Sequence, residues 1–123
     1  MMAITDQDRR DGRKLAIPIQ EGWIFESIDH IRYLEAEGNY TRLYFADGRR
    51  ILVSRNLTNM EQQIAAPMQF FKIHRSYVIN LNYLSKFLKT RQSIIFLDED
   101  TRLPLAMERR PAFDEALMLW CRF

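Results

Sequence analysis

From residue 15 onward, apolar and polar positions alternate in short stretches broken by turn residues, the pattern of a mostly β domain. Residues 15–20 and 23–26 flank Glu21-Gly22, and residues 31–36 read as a third strand. Residues 40–46 and 49–54 flank Asp47-Gly48, a pair that suits the positive φ of a two-residue hairpin turn. Within residues 40–45 the period of two sends Thr41, Leu43 and Phe45 to one face. Tyr40, Arg42 and Tyr44 go to the other, toward a ligand or toward solvent. Strands resume at Phe70 and continue over residues 83–88, 93–97 and 101–105, the last two joined through Asp98-Glu99-Asp100.

The period changes to helical in two places. Leu57, Met60 and Ile64 form an apolar stripe over residues 57–65, with Asn56 as N-cap and Thr58 with Glu61 as an alternative capping box. Pro67 prevents continuation. Pro111 opens a final helix, with Asp114 and Glu115 near its positive end. Phe113, Leu117 and Trp120 recur at helical spacing, a stripe that docks on the chain's own sheet in preference to a second subunit. Residues 1–14 are polar and without period, a flexible tail ahead of one domain over residues 15–123.

Composition narrows the class. At 47% hydrophobic and 12% aromatic, 123 residues bury a real core. Cys121 is the single cysteine, so no disulfide forms within the chain, which fits a reducing compartment. No apolar run approaches membrane-spanning length, and the start lacks the apolar centre of a secretion signal, so a soluble cytoplasmic protein is expected. The net charge of +2 conceals an asymmetry. Between Gly48 and Leu97 Glu61 is the sole acid, against Arg49, Arg50, Arg55, Lys72, Arg75, Lys86, Lys89 and Arg91. Such a block fits a polyanion partner, or a merely solubilising face.

Two runs concentrate polar chemistry in β-rich surroundings: Glu35-Ala36-Glu37-Gly38-Asn39-Tyr40-Thr41, and FFKIHRSYVINLNYL from Phe70 to Leu84. Arginine pairs bidentately with guanine and asparagine with adenine, so Arg75 and Asn39 carry base-reading groups. Arg42, Arg55, Lys72 and Ser76 suit phosphate oxygens. Other roles stay open: His74 as a core histidine, Asn39 as a turn former, Asn80 and Asn82 as backbone caps, Tyr40 and Tyr77 as packed anchors. Catalysis has little to draw on. Glu35 and Glu37 share a strand face, but the two histidines and one cysteine lie far apart, and neither metal-ligand spacing nor a glycine-rich phosphate loop occurs. No cofactor is expected.

The EAEGNYT loop, the strand–Asp-Gly–strand–helix series and the FFKIHRSYVINLNYL run together resemble the LytTR family of bacterial DNA-binding domains, from about residue 15 to residue 119. The resemblance implies an elongated arrangement of small antiparallel sheets with one or two short helices. It implies a transcriptional regulator whose loops, with no recognition helix, enter successive major grooves of double-stranded DNA and bend it. It places contacts near residues 39–42 with Thr41 foremost, at His74-Arg75, and in the loop before the last helix. In that loop the family's usual Ser-Arg pair is absent, and Arg109 and Arg110 stand about two positions further on. Family members commonly carry a signal-receiving domain ahead of this one; with only a short tail here, the chain is a stand-alone regulator or a fragment. A homodimer or tandem copies on repeated half-sites are the expected modes of assembly. The altered loop and apolar last helix leave an alternative, an interaction module that pairs with a DNA-binding homologue without reading DNA. RNA ranks low, because the aromatics belong to strands and form no stacking platform.

Overall fold

A computed structural model describes residues 14–98 and 100–123. The tail expected over residues 1–14 lies outside them, except for Lys14, which opens the first strand. Strands β1 (Lys14–Ile19) and β2 (Gly22–Ser27) form a hairpin of their own. A five-stranded antiparallel sheet follows in the order β5-β4-β3-β7-β6, built from β3 (Ile31–Glu37), β4 (Tyr40–Phe45), β5 (Arg50–Val53), β6 (Phe70–His74) and β7 (Tyr77–Asn80). Strands β8 (Leu84–Lys89), β9 (Ser93–Leu97) and β10 (Thr101–Pro104) make a third sheet. Helix α1 (Leu57–Ile64) links β5 to β6, and helix α2 (Arg110–Trp120) closes the chain. The expected mostly β architecture of small antiparallel sheets with two short helices is the observed one.

The central sheet is apolar on both faces. On one, Leu34, Leu43, Phe45 and Val78 meet Leu57, Met60 and Ile64 of α1 and Leu15 and Ile17 of β1. On the other, Ile73, Ile79 and Phe71 meet Ile95, Leu97 and Leu103 of the third sheet and Phe113 of α2. The second layer packs at the β7–β6 side, where α2 contacts β6. Period two in β4 holds: Thr41, Leu43 and Phe45 point inward.

Several local devices set the geometry. Asn56 caps α1 by accepting from the Asn59 amide at 2.8 Å, so the Thr58–Glu61 capping box is not the one used. The Asp47-Gly48 hairpin is a three-residue loop, not a two-residue one. The Gly48 amide donates to the Phe45 carbonyl, the Phe45 amide donates to that of Arg49, and only Gly48, at φ +93°, takes the left-handed position such a loop requires. The run from Phe70, expected as resumed strand, is itself a hairpin turning at Arg75-Ser76. A bulge between Lys72 and His74 leaves Ile73 as the extra residue. Asn80 is fully buried and satisfied: its amide nitrogen donates to the Ile31 carbonyl, and its oxygen accepts from the Asn82 amide. On α2 the expected stripe is truncated: Phe113 is buried, Leu117 packs partly, and Trp120 is 37% exposed.

Phe113→Ala is expected to cost about 3–5 kcal/mol, because its ring fills the centre of the second core. Asn80→Ala is expected to cost about 1–3 kcal/mol by leaving the Ile31 carbonyl unpaired. Urea unfolding of both variants against the parent checks these values.

Candidate nucleic-acid interface

Strand β3 brings the two polar runs together. It pairs with β4 up to Glu37↔Tyr40, so the chain reverses at Gly38-Asn39. Its other edge pairs with β7 through Glu35↔Tyr77, so Arg75-Ser76 turns at the same end of the sheet. The Ala36 amide donates to the Ser76 carbonyl at 2.8 Å and stitches the second turn to the base of the first. Gly38 sits at φ +60°, which glycine adopts without steric cost.

Arg55 follows β5 at this same end, and the third region reaches it from the other side. The Ala106 amide donates to the Ile73 carbonyl, and Arg109 Nε donates to the Lys72 carbonyl, both at 2.8 Å. The segment before α2 is thereby bound along β6. A groove of about 570 Å³ runs between it and the second turn, with His74, Arg75 and Arg110 on its walls.

The candidates differ in what holds them. Asn39 and Arg75 are exposed, and their side chains have no hydrogen-bond or ion-pair partner among the described residues. Thr41, expected foremost at the first contact, is fully buried; its hydroxyl donates to the Arg55 carbonyl at 2.8 Å and fastens the strand end. Arg42 is clamped to Glu37 at 2.7 Å, and Lys72 stands 3.8 Å from Glu61. Arg55 donates to Gln63, whose own amide donates to the Ala16 carbonyl. Arg109 lies over the Phe71 ring at 4.8 Å, so its guanidinium is committed to the fold. Arg110 lies over Phe87 at 4.9 Å, contacts Asp114 and Ser93, and stays partly exposed.

His74 is half-buried, and its Nδ1 accepts from the Ser76 amide at 3.1 Å. The ring proton therefore resides on Nε2, leaving a donor for an incoming acceptor. Tyr77 packs 5.7 Å from the His74 ring.

Sequence reasoning missed what Glu35 does. Its carboxylate accepts from the Tyr44 hydroxyl at 2.7 Å and the Tyr77 hydroxyl at 3.1 Å, and Tyr33 stacks on Tyr44 at 4.2 Å. Burial first, and then the hydrogen bond to Glu35, pushes both the Tyr44 and Tyr77 phenols up from their usual range, so they remain donors. Of the two acids on β3 near the turns, Glu35 is thus occupied by phenols and Glu37 by Arg42. The pairing of Tyr44 with Glu35 lies across β3 and β4, a register that a strand pattern alone does not fix.

Among the described residues no group of His, Cys, Asp and Glu is placed to hold a metal ion, and no helix is long and apolar enough to cross a membrane.

The mostly β scaffold thus gathers exposed turns and cations at one end of the central sheet. The profile of the LytTr DNA-binding domain family matches residues 21–118, and the chain belongs to that family. It is 34% identical over 89 residues to the CO-responsive transcriptional regulator RcoM of Rhodospirillum rubrum, covering 72% of this chain and 36% of that protein. The chain thus spans little more than a third of that relative's length. A LytTr DNA-binding domain from Bacillus cereus superposes with a TM-score of 0.72 at 19% identity, over 85% of this chain and 96% of that one, and shares its fold. Residues 21–118 thus form a DNA-binding domain of this family.

Thr41→Val is expected to lower stability by about 1 kcal/mol through the lost hydrogen bond, with base preference unchanged; urea unfolding and binding to a selected duplex report the two effects. Nitrogen-15 NMR of His74 at alkaline pH is expected to show the Nε2–H tautomer.

Proposed function

We propose that this chain binds double-stranded DNA sequence-specifically through its rim of turns and so regulates transcription. The observation that carries this is the shared end of β3, which presents Asn39 and Arg75, without side-chain partners among the described residues, side by side. Arg75 reads a guanine edge, Asn39 an adenine edge, and His74 donates from Nε2. Arg42, Arg55, Lys72 and Ser76 engage phosphates, which fix the register. Arg110 is the contact of the third region, since Arg109 is spent on Lys72 and Phe71.

Strand spacing puts the two turns about 10 Å apart, two steps of roughly 4.8 Å. A major groove is about 12 Å wide, so both turns fit over one. The next major groove lies about 34 Å along a straight duplex. The Arg110 end of the rim, beyond β6, reaches toward it, and bending the DNA toward the protein closes the remainder. Two copies on repeated half-sites would give paired motifs one or more helical turns apart.

Selection from a random duplex library tests the reading: an enriched motif is expected, and no enrichment overturns it. With that motif, Arg75→Ala is expected to lose about 1–3 kcal/mol and to relax one base position, while Lys72→Ala weakens all sequences alike. An equal loss for Arg75→Ala on selected and random DNA would remove it as a base reader. Fluorescence anisotropy across a salt series is expected to give a log K against log salt slope near −4 to −5, from about five phosphate contacts. Absence of salt-sensitive binding at low ionic strength favours an interaction module that pairs with a DNA-binding homologue.

A further inference from the structure

The third sheet has a face that the second core does not use. Its inward positions, Phe87, Ile95 and Leu103, belong to that core. The register aligns Lys86, Phe96 and Arg102 in one outward row. Lys86 Nζ lies 4.5 Å and the Arg102 guanidinium 5.3 Å from the Phe96 ring centroid, so both cations lean on one aromatic ring from the two flanking strands while both side chains remain exposed. The next outward row is apolar, made of Leu88, Ile94 and Pro104, and beyond it the β8–β9 turn carries exposed Arg91. Among the described residues none of Lys86, Arg91 and Arg102 has a carboxylate partner, unlike Arg32, Arg42, Arg49, Lys72 and Arg110.

This row is continuous with the rim. Arg91, Ile94 and Pro104 line the same groove as His74 and Arg75. Among the described residues the acids nearby do not cancel it. Asp98 and Asp100, at the far turn of this sheet, face Arg32 at 3.0 and 3.9 Å, which leaves Glu108 as the acid on the groove wall.

Resting on the DNA-binding reading above, we propose that the outward face of the β8–β9–β10 sheet, through Arg91, Lys86 and Arg102, is a track for the phosphate backbone of DNA flanking the sequence read by the turns. The occupant is a duplex because the row offers spaced point charges and guanidinium groups with one half-buried ring between them. A row of phosphates fits those groups, whereas an apolar partner would leave them unpaired. The track carries no base information and lengthens the footprint on one side only.

The test compares random-sequence duplex pools of about 15 and about 35 base pairs, titrated by anisotropy over a salt series. The parent is compared with the triple variant Lys86→Ala/Arg91→Ala/Arg102→Ala. Each neutralised phosphate contributes about 0.9 to the salt slope, so the triple variant is expected to shed about 2–3 from its magnitude on the long pool and less than about one on the short pool. The triple exchange Lys86→Arg/Arg91→Lys/Arg102→Lys is expected to keep the parent slope on both. An unchanged slope on the long pool overturns the track while leaving the rim reading intact. An equal loss on both pools also overturns it, placing these cations within the rim. A parent that binds neither pool overturns both. If the triple variant unfolds by circular dichroism, Arg91→Ala alone, in an exposed turn, is expected to lose about one from the slope on the long pool only.

Discussion

The site depends on one strand being paired along both edges. β3 fixes β4 on one side and β7 on the other, and the pairings end within two residues of each other at Glu37↔Tyr40 and Glu35↔Tyr77. Without that coincidence the turns at Gly38-Asn39 and Arg75-Ser76 would open at different heights. The Ala36–Ser76 backbone bond and the two phenols on Glu35 make the coincidence rigid. Base reading needs side chains held to fractions of an ångström, and strand ends supply that more reliably than free loops.

Charge is arranged by the same logic. Most cations near the rim are neutralised or stacked, and that selects rather than weakens. Arg109 shapes the surface, while the Arg75 side chain has no partner among the described residues. The basic window visible in the sequence therefore overstates the number of free cations and says nothing about their places.

Much of the architecture was legible. The alternation of short apolar runs, the Asn56 cap and Pro111 at the start of α2 each acted through local physics, and each appears where it was read. The hairpin hidden in FFKIHRSYVINLNYL was not legible. Both faces of β6 and β7 are buried, which erases alternation, and neither Arg75 nor Ser76 takes the positive φ that glycine or asparagine would announce. Thr41 was placed foremost at the first contact by the family resemblance alone. Its position on the inward face of β4, already evident from Leu43 and Phe45, decided otherwise. The partners of Glu35 come from residues 9 and 42 positions away and that of Arg109 from 37, distances at which no local pattern speaks.

The two apolar clusters lie back to back, with β3, β7 and β6 as their party wall. A loosening of α1 on one side or of α2 on the other must still break that wall before the turns lose their mounting. The proposed reading edge is therefore expected to be the last surface to blur as either half of the molecule softens, so that tuning mutations can accumulate in both outer layers while the geometry of the turns stays fixed.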